Sequence, residues 1–587
     1  MLGAFILILF LLMHLILVNK ILEAIEALWP DITFDDVDLV PTERPEFGDI
    51  TTTVALKLAK LTRLSPRDTA LMIVAKLEDQ KLEDVSKIEI AGPGYINFFY
   101  DDDFLQWQIA EASAALTEEN QLNWPQRRET NNKRIIVEYP STNIAKSMHV
   151  GHSRTLFIGD SLARIYHFAG YDVIRWDYVG DWGTSFGKII SAYKKWGNED
   201  ALKANPVETM LELYVRFSNE AKQDPSLDDE ARLEFSKLEK GDKENRRLWE
   251  WFKEESLKES ANIYSLLDIL PSHVNLGEEF YNKQASAIVD ELLAKGIAEK
   301  SEGAIVVKFP DDKIPVAMLA KSDGSTLYLT RDLPNILYRI EKYNPDKILY
   351  VVANEQALHF QQLFEIASMI GVDSSMLEHV KFGLVLGADH KKLSSRDGGS
   401  VVLKDIINEA IDRADKIISE KNPDIDEAKR AEIARAIGVG ALKYNDLKEY
   451  RTGDIVFDWD RVLDFGGNSG PYLQYTYARL KSILNKVDVD YAGVHSHISD
   501  KYERAIVVHF TRFDGVVDRC ISTNAPHHLA LYGYELAIKL NSFYENVNVL
   551  KESDEDLKTS RLKLICVSLS YLARVMDLLG IEVVDRV

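Results

Sequence analysis

Apolar positions recur at helical spacing and at period two in an order that changes twice along this chain, and the changes divide it into three regions. From Met13, the positions Leu15, Val18, Ile21, Leu22, Ile25 and Leu28 predict an amphipathic helix. Ile50 to Leu61 has helical apolar spacing, and Ser65-Pro66 is a start signal for another helix to about Leu77. Val85 to Tyr100 alternates as a strand, breaks at Gly92-Pro93-Gly94 and resumes as a strand. The pattern predicts a small α+β domain over residues 13–127, ended by a polar segment with Pro125, Gln126, Arg127 and Arg128.

The second region, residues 128–407, opens with a strand from Arg134 to Tyr139, a helix from about Gly151 through Phe168 and a strand from Asp172 to Tyr178. Strand, helix, strand predicts the start of a parallel sheet in an α/β domain. Residues 190–265 are highly charged and helical, with Trp196, Trp249 and Trp251 as anchors, and read as a solvated helical insertion within about 190–300. Short β-rich runs return at Ala304 to Phe309, Leu327 to Leu329, Ile348 to Val352 and Phe382 to Leu386, with helices at Leu333 to Tyr343 and His359 to Ile370. In such a sheet ligands lie beyond the C-terminal strand ends. The third region, 408–587, predicts an all-α bundle from Ile433 to Leu442, Pro471 to Asn485, Lys501 to Ser522, His527 to Glu545 and Ser560 to Leu579.

Composition narrows the class. With 587 residues, 46% hydrophobic and 28% charged, the chain has material for about three folded domains. A formal charge of −23 argues against a generally basic nucleic-acid binder, while leaving room for a local basic track. Cys520 and Cys566 are the only cysteines, which fits a reducing, cytoplasmic setting and leaves no CxxC pair for structural zinc. The start, almost wholly apolar from Leu2 to Val18, falls short of the roughly 20 residues that span a bilayer and has no basic residue before it. It reads as a membrane anchor or signal, as a helix buried against the first domain, or as sequence upstream of a start at Met13; the last two are preferred, and no membrane association is expected.

Two stretches carry candidate chemistry. His149 and His152 flank Gly151 at a helix start that follows a strand, where free backbone N–H groups, the positive helix end and the imidazoles would meet a phosphate. The same trio is compatible with a metal site or with neither role, but no nearby Cys or His completes a zinc set, and no metal ligand is assigned. Lys391, Lys392, Ser394, Ser395 and Arg396, among glycines, suit a pyrophosphate accumulating charge in a transition state. Alone, this stretch also reads as a basic surface loop.

These stretches resemble a known family. HVGH at 149–152 and KLSSR at 392–396 match the two signatures of class I aminoacyl-tRNA synthetases, and the context resembles arginyl-tRNA synthetases in particular. The context comprises VEYPSTNIAKSMHVGH from Val137, DYVGDWGTSFG from Asp177, YLTRDLPNILYR from Tyr328 and DWDRVLDFGGNSGPYLQYTYAR from Asp458. EFGDITTTVALKLAK from Glu46 and IAGPGYINF from Ile90 are similar to that family's extra N-terminal domain. The resemblance implies a Rossmann-like catalytic core, a small α+β N-terminal tRNA-binding domain and an all-α C-terminal anticodon-binding bundle.

It further implies ATP-dependent ligation of L-arginine to tRNA(Arg) through an arginyl-adenylate, with tRNA needed for activation, Mg2+ accompanying ATP, no zinc, no DNA partner and a monomer. His149, Gly151, His152, Lys392, Ser394, Ser395 and Arg396 would hold ATP, with His149, His152, Lys392 and Ser394 as the catalytic set. The last position of the second signature is Arg396 where most class I enzymes have lysine, so the division of charge among Lys391, Lys392 and Arg396 stays open, and Lys146 is a further candidate. A guanidinium, five donors in a rigid fork, requires carboxylates and amide oxygens. Glu138 and Asp332 offer the charge and Asn143, Tyr328 and Gln356 the polar partners, at positions that match the family's arginine pocket. Trp459, Arg461, Gln474, Tyr475 and Arg479 are candidates to contact the anticodon, with bundle packing as the competing role. Another amino-acid specificity, or a non-catalytic tRNA-binding relative, are the alternatives.

Overall fold

The computed structural model describes residues 13–34, 36–42, 45–114, 133–144, 148–310, 313–322, 325–387, 389–391, 393, 401–487 and 497–586. The apolar start therefore lies outside the described residues up to 12, as do Lys146, Lys392, Ser394, Ser395 and Arg396.

The N-terminal segment runs α1 (Met13–Leu28), β1 (Val40–Pro41), β2 (Ile50–Thr52), α2 (Val54–Thr62), α3 (Pro66–Asp79), β3 (Val85–Ala91), β4 (Tyr95–Tyr100) and α4 (Asp102–Ala114). Leu17, Ile21, Ala24 and Ile25 form the buried stripe of α1. Ser65 caps α3 by accepting from the Asp68 amide at 3.1 Å, with Pro66 in the first turn. The strands form an antiparallel sheet in the order β1-β2-β4-β3. Ile50 to Thr52, expected as the start of a helix, pairs instead with Ile96 to Phe98. Successive β-branched threonines at 51 to 53 favour the extended start, and the helix begins only at Val54.

The α/β segment holds β5 (Arg134–Glu138), α5 (Gly151–Phe168) and β6 (Asp172–Asp177). Five helices follow: α6 (Thr184–Trp196), α7 (Glu199–Ala204), α8 (Pro206–Ala221), α9 (Ser226–Glu239) and α10 (Lys243–Leu266). Next come β7 (Val274–Asn275), α11 (Asn282–Ala294), β8 (Ala298–Ser301), β9 (Ala304–Val307), β10 (Ala317–Ala320), α12 (Tyr328–Tyr343), β11 (Lys347–Tyr350), α13 (Ala357–Met369), β12 (Leu377–His379) and β13 (Val385–Leu386). A five-stranded sheet, parallel throughout, has the order β12-β11-β5-β6-β7. The chain leaves β5 toward β6 and later returns on the other side as β11, so a switch point falls between β5 and β11. Ile136, Trp176, Leu333, Ile336, Ile348 and Ile366 are buried at its core. The insertion has a core of its own around Trp182, Phe186, Trp249 and Phe252, and the Trp249 indole donates to the Asp181 carbonyl at 2.7 Å.

Three expected members of the parallel sheet lie elsewhere. β9, within the Ala304 to Phe309 run, belongs to a separate antiparallel sheet β10-β9-β8. Leu327 to Leu329 is the start of α12: Thr330 binds back to the Leu327 amide and to the Leu319 carbonyl, satisfying the helix end. β13 pairs in parallel with β14 (Ile455–Val456).

The C-terminal part contains α14 (Leu403–Lys421), α15 (Glu427–Leu447), β14, α16 (Trp459–Val462), α17 (Gly470–Leu484), α18 (Lys501–Phe510), α19 (Phe513–Thr523), α20 (His527–Asn546) and α21 (Glu555–Leu578). The single helix expected from Lys501 to Ser522 is two, because the buried Thr511 hydroxyl turns onto the Val508 carbonyl and ends the first. One compact unit gathers Met1–Arg128, Ile418–Ile437 and Asp464–Val587; the other gathers Glu129–Ile417 and Gly438–Leu463. Within the first, Arg504 of α18 binds both Asp49 oxygens at 3.0 and 2.8 Å and the Tyr100 carbonyl at 2.8 Å.

Candidate active site

A cavity of about 490 Å³ lies at the C-terminal ends of β5 and β11. Glu138, Asn143, Tyr328, Asp332 and Gln356 all line it, as do His149, Gly151 and His152. The helix that replaced the expected strand explains part of this: Tyr328, Asp332 and Asn335 fall at helical spacing on one face of α12 and all reach the cavity. Asn143 is held by a parallel bridge to Gly180, whose amide donates to Thr142 at 2.9 Å and whose carbonyl accepts from Ile144 at 3.2 Å.

The histidine turn is built differently from the sequence expectation. The His149 and His152 rings lie against each other, centroids 3.9 Å apart and planes tilted by 43°. His149 Nδ1 accepts from the Gly151 amide and His152 Nδ1 from the His149 amide, both at 3.1 Å. The Val150 amide donates to the Val401 carbonyl, and those of His152 and Ser153 to His149 and Val150. The first-turn N–H groups expected to face a phosphate are thus engaged already. What the turn presents is imidazole: with Nδ1 accepting, each neutral ring carries its proton on Nε2 as a donor. A side chain at position 151 would meet the His149 ring at 2.9 Å, which is why glycine stands there.

A bridge from His149 to Val402 and a bond from Leu403 to the Met148 carbonyl pin the chain that follows the second signature to this turn. Leu393, at the other end of residues 394–400, binds Val385 and lines a smaller recess shared with His149 and Gly151. Both ends of that stretch are therefore anchored at the histidine turn or at β13.

Three cavity carboxylates each meet a basic side chain. Glu138, 3% exposed, pairs with the fully buried Arg339; Glu278 pairs with Arg331 at 2.9 Å; Asp332 meets His359 Nε2 at 2.7 Å. Burial pushes the Glu278 carboxyl up to about 8 despite Arg331, and raises that of Glu138 despite Arg339. Such a set, with amides at Asn143 and Gln356, can receive a ligand bearing two positive groups. Among the described residues, no group of three or more His, Cys, Asp or Glu is gathered as a metal site requires.

With this geometry in place, comparisons with known proteins are decisive. Residues 111–459 match the family model described as tRNA synthetases class I (R), catalytic domain. The chain belongs to the arginyl-tRNA synthetase family. Residues 16–100 match the arginyl tRNA synthetase N terminal domain and 473–587 the DALR anticodon binding domain. A relative from Clostridium perfringens, named arginine–tRNA ligase, is 41% identical over 547 residues, 92% of this chain and 94% of that protein. Among solved structures, the arginyl-tRNA synthetase of Plasmodium falciparum is 26% identical with a TM-score of 0.81, covering 97% of this chain and 98% of its own. That of Thermus thermophilus, at 23% identity and a TM-score of 0.79 over 97% and 99%, shares the fold. Class I synthetases of this family use ATP, arginine and tRNA.

Other candidates scatter. Trp459 and Arg461 lie on α16 in the α/β unit, where Arg413 stacks over the Trp459 ring at 4.8 Å. Tyr475 and Arg479 are half-buried on α17, Arg479 lying 3.9 Å over the Tyr544 ring. Gln474 is a correction: it is fully buried and donates to the carbonyls of Ala436 and Glu582 at 3.0 and 2.8 Å, so it packs the bundle and does not face RNA. Glu278, His359 and Arg339 were missed. His359 had a signal, lying one helical turn beyond Gln356, and Arg339 closes the quoted YLTRDLPNILYR; Glu278 had none.

Proposed function

We propose that the chain ligates L-arginine to tRNA(Arg) at the cavity, in two steps. The arginine carboxylate attacks the α-phosphorus of ATP, and pyrophosphate leaves with the displaced bond's electron pair, giving arginyl-adenylate. The terminal 2′-hydroxyl of tRNA then attacks the carbonyl carbon and gives up its proton to solvent, and AMP leaves with the electron pair of the broken carbon–oxygen bond. The reading is carried by one observation: the histidine turn and the acidic pocket line the same cavity. His149 and His152 donate from Nε2 to phosphate oxygens, and Lys392, Ser394, Ser395 and Arg396 act on the pyrophosphate. Glu138, Asn143, Tyr328, Asp332 and Gln356, joined by Glu278, receive arginine. Lysine is rejected because a compact ammonium leaves partners of a planar fork unpaired. Rate comes from positioning and charge stabilisation, with no covalent enzyme intermediate. Magnesium enters with ATP as part of the substrate, and zinc has no part.

In the same reading, residues 13–127 contact the tRNA body, 128–407 catalyse, and 408–587 read the anticodon with Trp459, Arg461, Tyr475 and Arg479. The protein acts as a cytoplasmic monomer, with neither DNA nor membrane as partner. Among the described residues no helix is long and apolar enough to cross a membrane. ATP–pyrophosphate exchange tests the proposal: exchange is expected with arginine only when tRNA(Arg) is present. Exchange driven by another amino acid, or none with arginine and cognate tRNA, overturns it.

A further inference from the structure

Among the described residues, Arg154 and Arg339 are the largest fully buried charged side chains, at 1% and 0% exposure, and Arg339 is paired with Glu138 of the cavity wall. Its guanidinium stacks over Trp176 at 4.4 Å, Tyr350 at 5.4 Å and Tyr178 at 6.0 Å, and Glu138 is its one carboxylate partner among the described residues. Glu138, Tyr178 and Tyr350 are all cavity-lining, while Arg339 is not. A guanidinium taken wholly from water loses several kcal/mol of hydration, and an apolar residue packed on the same rings would avoid that loss. Core packing alone therefore does not account for an arginine here.

We propose that Arg339 is a positioning residue for arginine recognition: it holds the Glu138 carboxylate charged and fixed in the cavity wall, so that this residue faces the substrate as an anion. The inference rests on the reading of the cavity as the arginine site. Without Arg339, burial and the charge of Asp332 both favour the protonated acid, and Arg339 is the principal influence against them. A protonated Glu138 would offer a donor where the substrate needs an acceptor. The other ionisable groups around the pair are Asp177 and Tyr178 at the end of β6, Tyr281, Asp332 on α12 and Tyr350.

The test is steady-state aminoacylation by the full chain with tRNA(Arg), varying arginine and ATP separately between about pH 6 and 9. Arg339→Met is expected to lower kcat/KM for arginine by about 100-fold near pH 7, to leave KM for ATP within about twofold, and to recover part of the loss as pH rises. Arg339→Lys, keeping the charge, is expected to recover much of it. A wild-type pH profile in Arg339→Met, or equal losses for arginine and ATP, overturns the proposal. Should Arg339→Met not fold, Glu138→Gln compared with the double variant Glu138→Gln and Arg339→Gln decides: the double variant is expected to be no poorer with arginine than Glu138→Gln alone, and a further loss of arginine kcat/KM in the folded double variant overturns the proposal. Wild-type charging of arginine carries the parent reading, so the two fail separately.

Discussion

Gly180→Ala tests whether Asn143 orients the substrate. A Cβ at position 180 would lie 2.2 Å from Asn143 Oδ1 and 3.2 Å from its Cγ. The backbones cannot part to relieve this, because the Thr142 carbonyl and the Ile144 amide both bind Gly180. The φ of Gly180 lies outside the left-handed region, so alanine adds no backbone strain and the amide of Asn143 takes up the change. Reaching ordinary contact displaces its oxygen by about 1 Å, and a misplacement of that size costs on the order of 10²-fold in rate, about 2.7 kcal/mol. The assay is aminoacylation with arginine varied, beside a melting curve. kcat/KM for arginine should fall roughly 100-fold with little change in melting temperature, and Asn143→Ala with Gly180→Ala should be no worse than Asn143→Ala alone. An arginine kcat/KM within about twofold of wild type would refute the reasoning.

Four further outcomes are expected. Because the Glu278 carboxyl holds its proton to about 8, arginine binding at pH 7 should release a proton, seen as buffer-dependent heats in titration calorimetry and lost in Glu278→Gln; equal heats in all buffers would contradict it. By the same shift, the folded protein keeps a proton between the ordinary 4.5 and about 8 that the unfolded chain has lost, so Glu278 costs stability as pH rises through that window, and Glu278→Gln should flatten the slope of stability against pH. Asp446→Ala strands Arg154, its partner at 3.2 Å with side chains 6% and 1% exposed, and should cost about 3–5 kcal/mol in denaturant unfolding; an unchanged midpoint would count against the pair. Gln474→Ala should lower stability by about 2 kcal/mol and leave tRNA affinity alone, whereas weakened tRNA binding at unchanged stability would restore it to the RNA face.

What the sequence made legible was what lies close together along the chain. The β5–α5–β6 unit declared itself because strand, turn and helix occupy one window, and the first histidine signature sits inside it. The pairing of Glu138 with Arg339 spans 201 residues, and that of Glu278 with Arg331 spans 53, so no local pattern carries either. Leu327 to Leu329 misled because three residues of β-rich composition weigh less than a threonine that satisfies the helix start. Gln474 misled for a related reason: a polar residue in an apolar run reads as outward-facing, and the carbonyls that satisfy it come from Ala436 and Glu582, outside any window. The free backbone donors expected at His149 failed because the imidazoles themselves, and a segment about 250 residues downstream, had already claimed them.

The ion pair between Asp49 and Arg504 joins residues 455 positions apart. At ribosomal rates of about 5–20 residues per second, roughly 20–90 s pass between the emergence of the two. The first segment, whose Ile50, Leu58, Ile73, Leu77, Ile96 and Phe98 are fully buried in the finished chain, waits for that partner while the α/β unit is being made behind it. The unit it belongs to is completed last, when translation is nearly over. Any truncation before α18 leaves Asp49 without its guanidinium, so a chain that ends early carries an unfinished face from its first hundred residues.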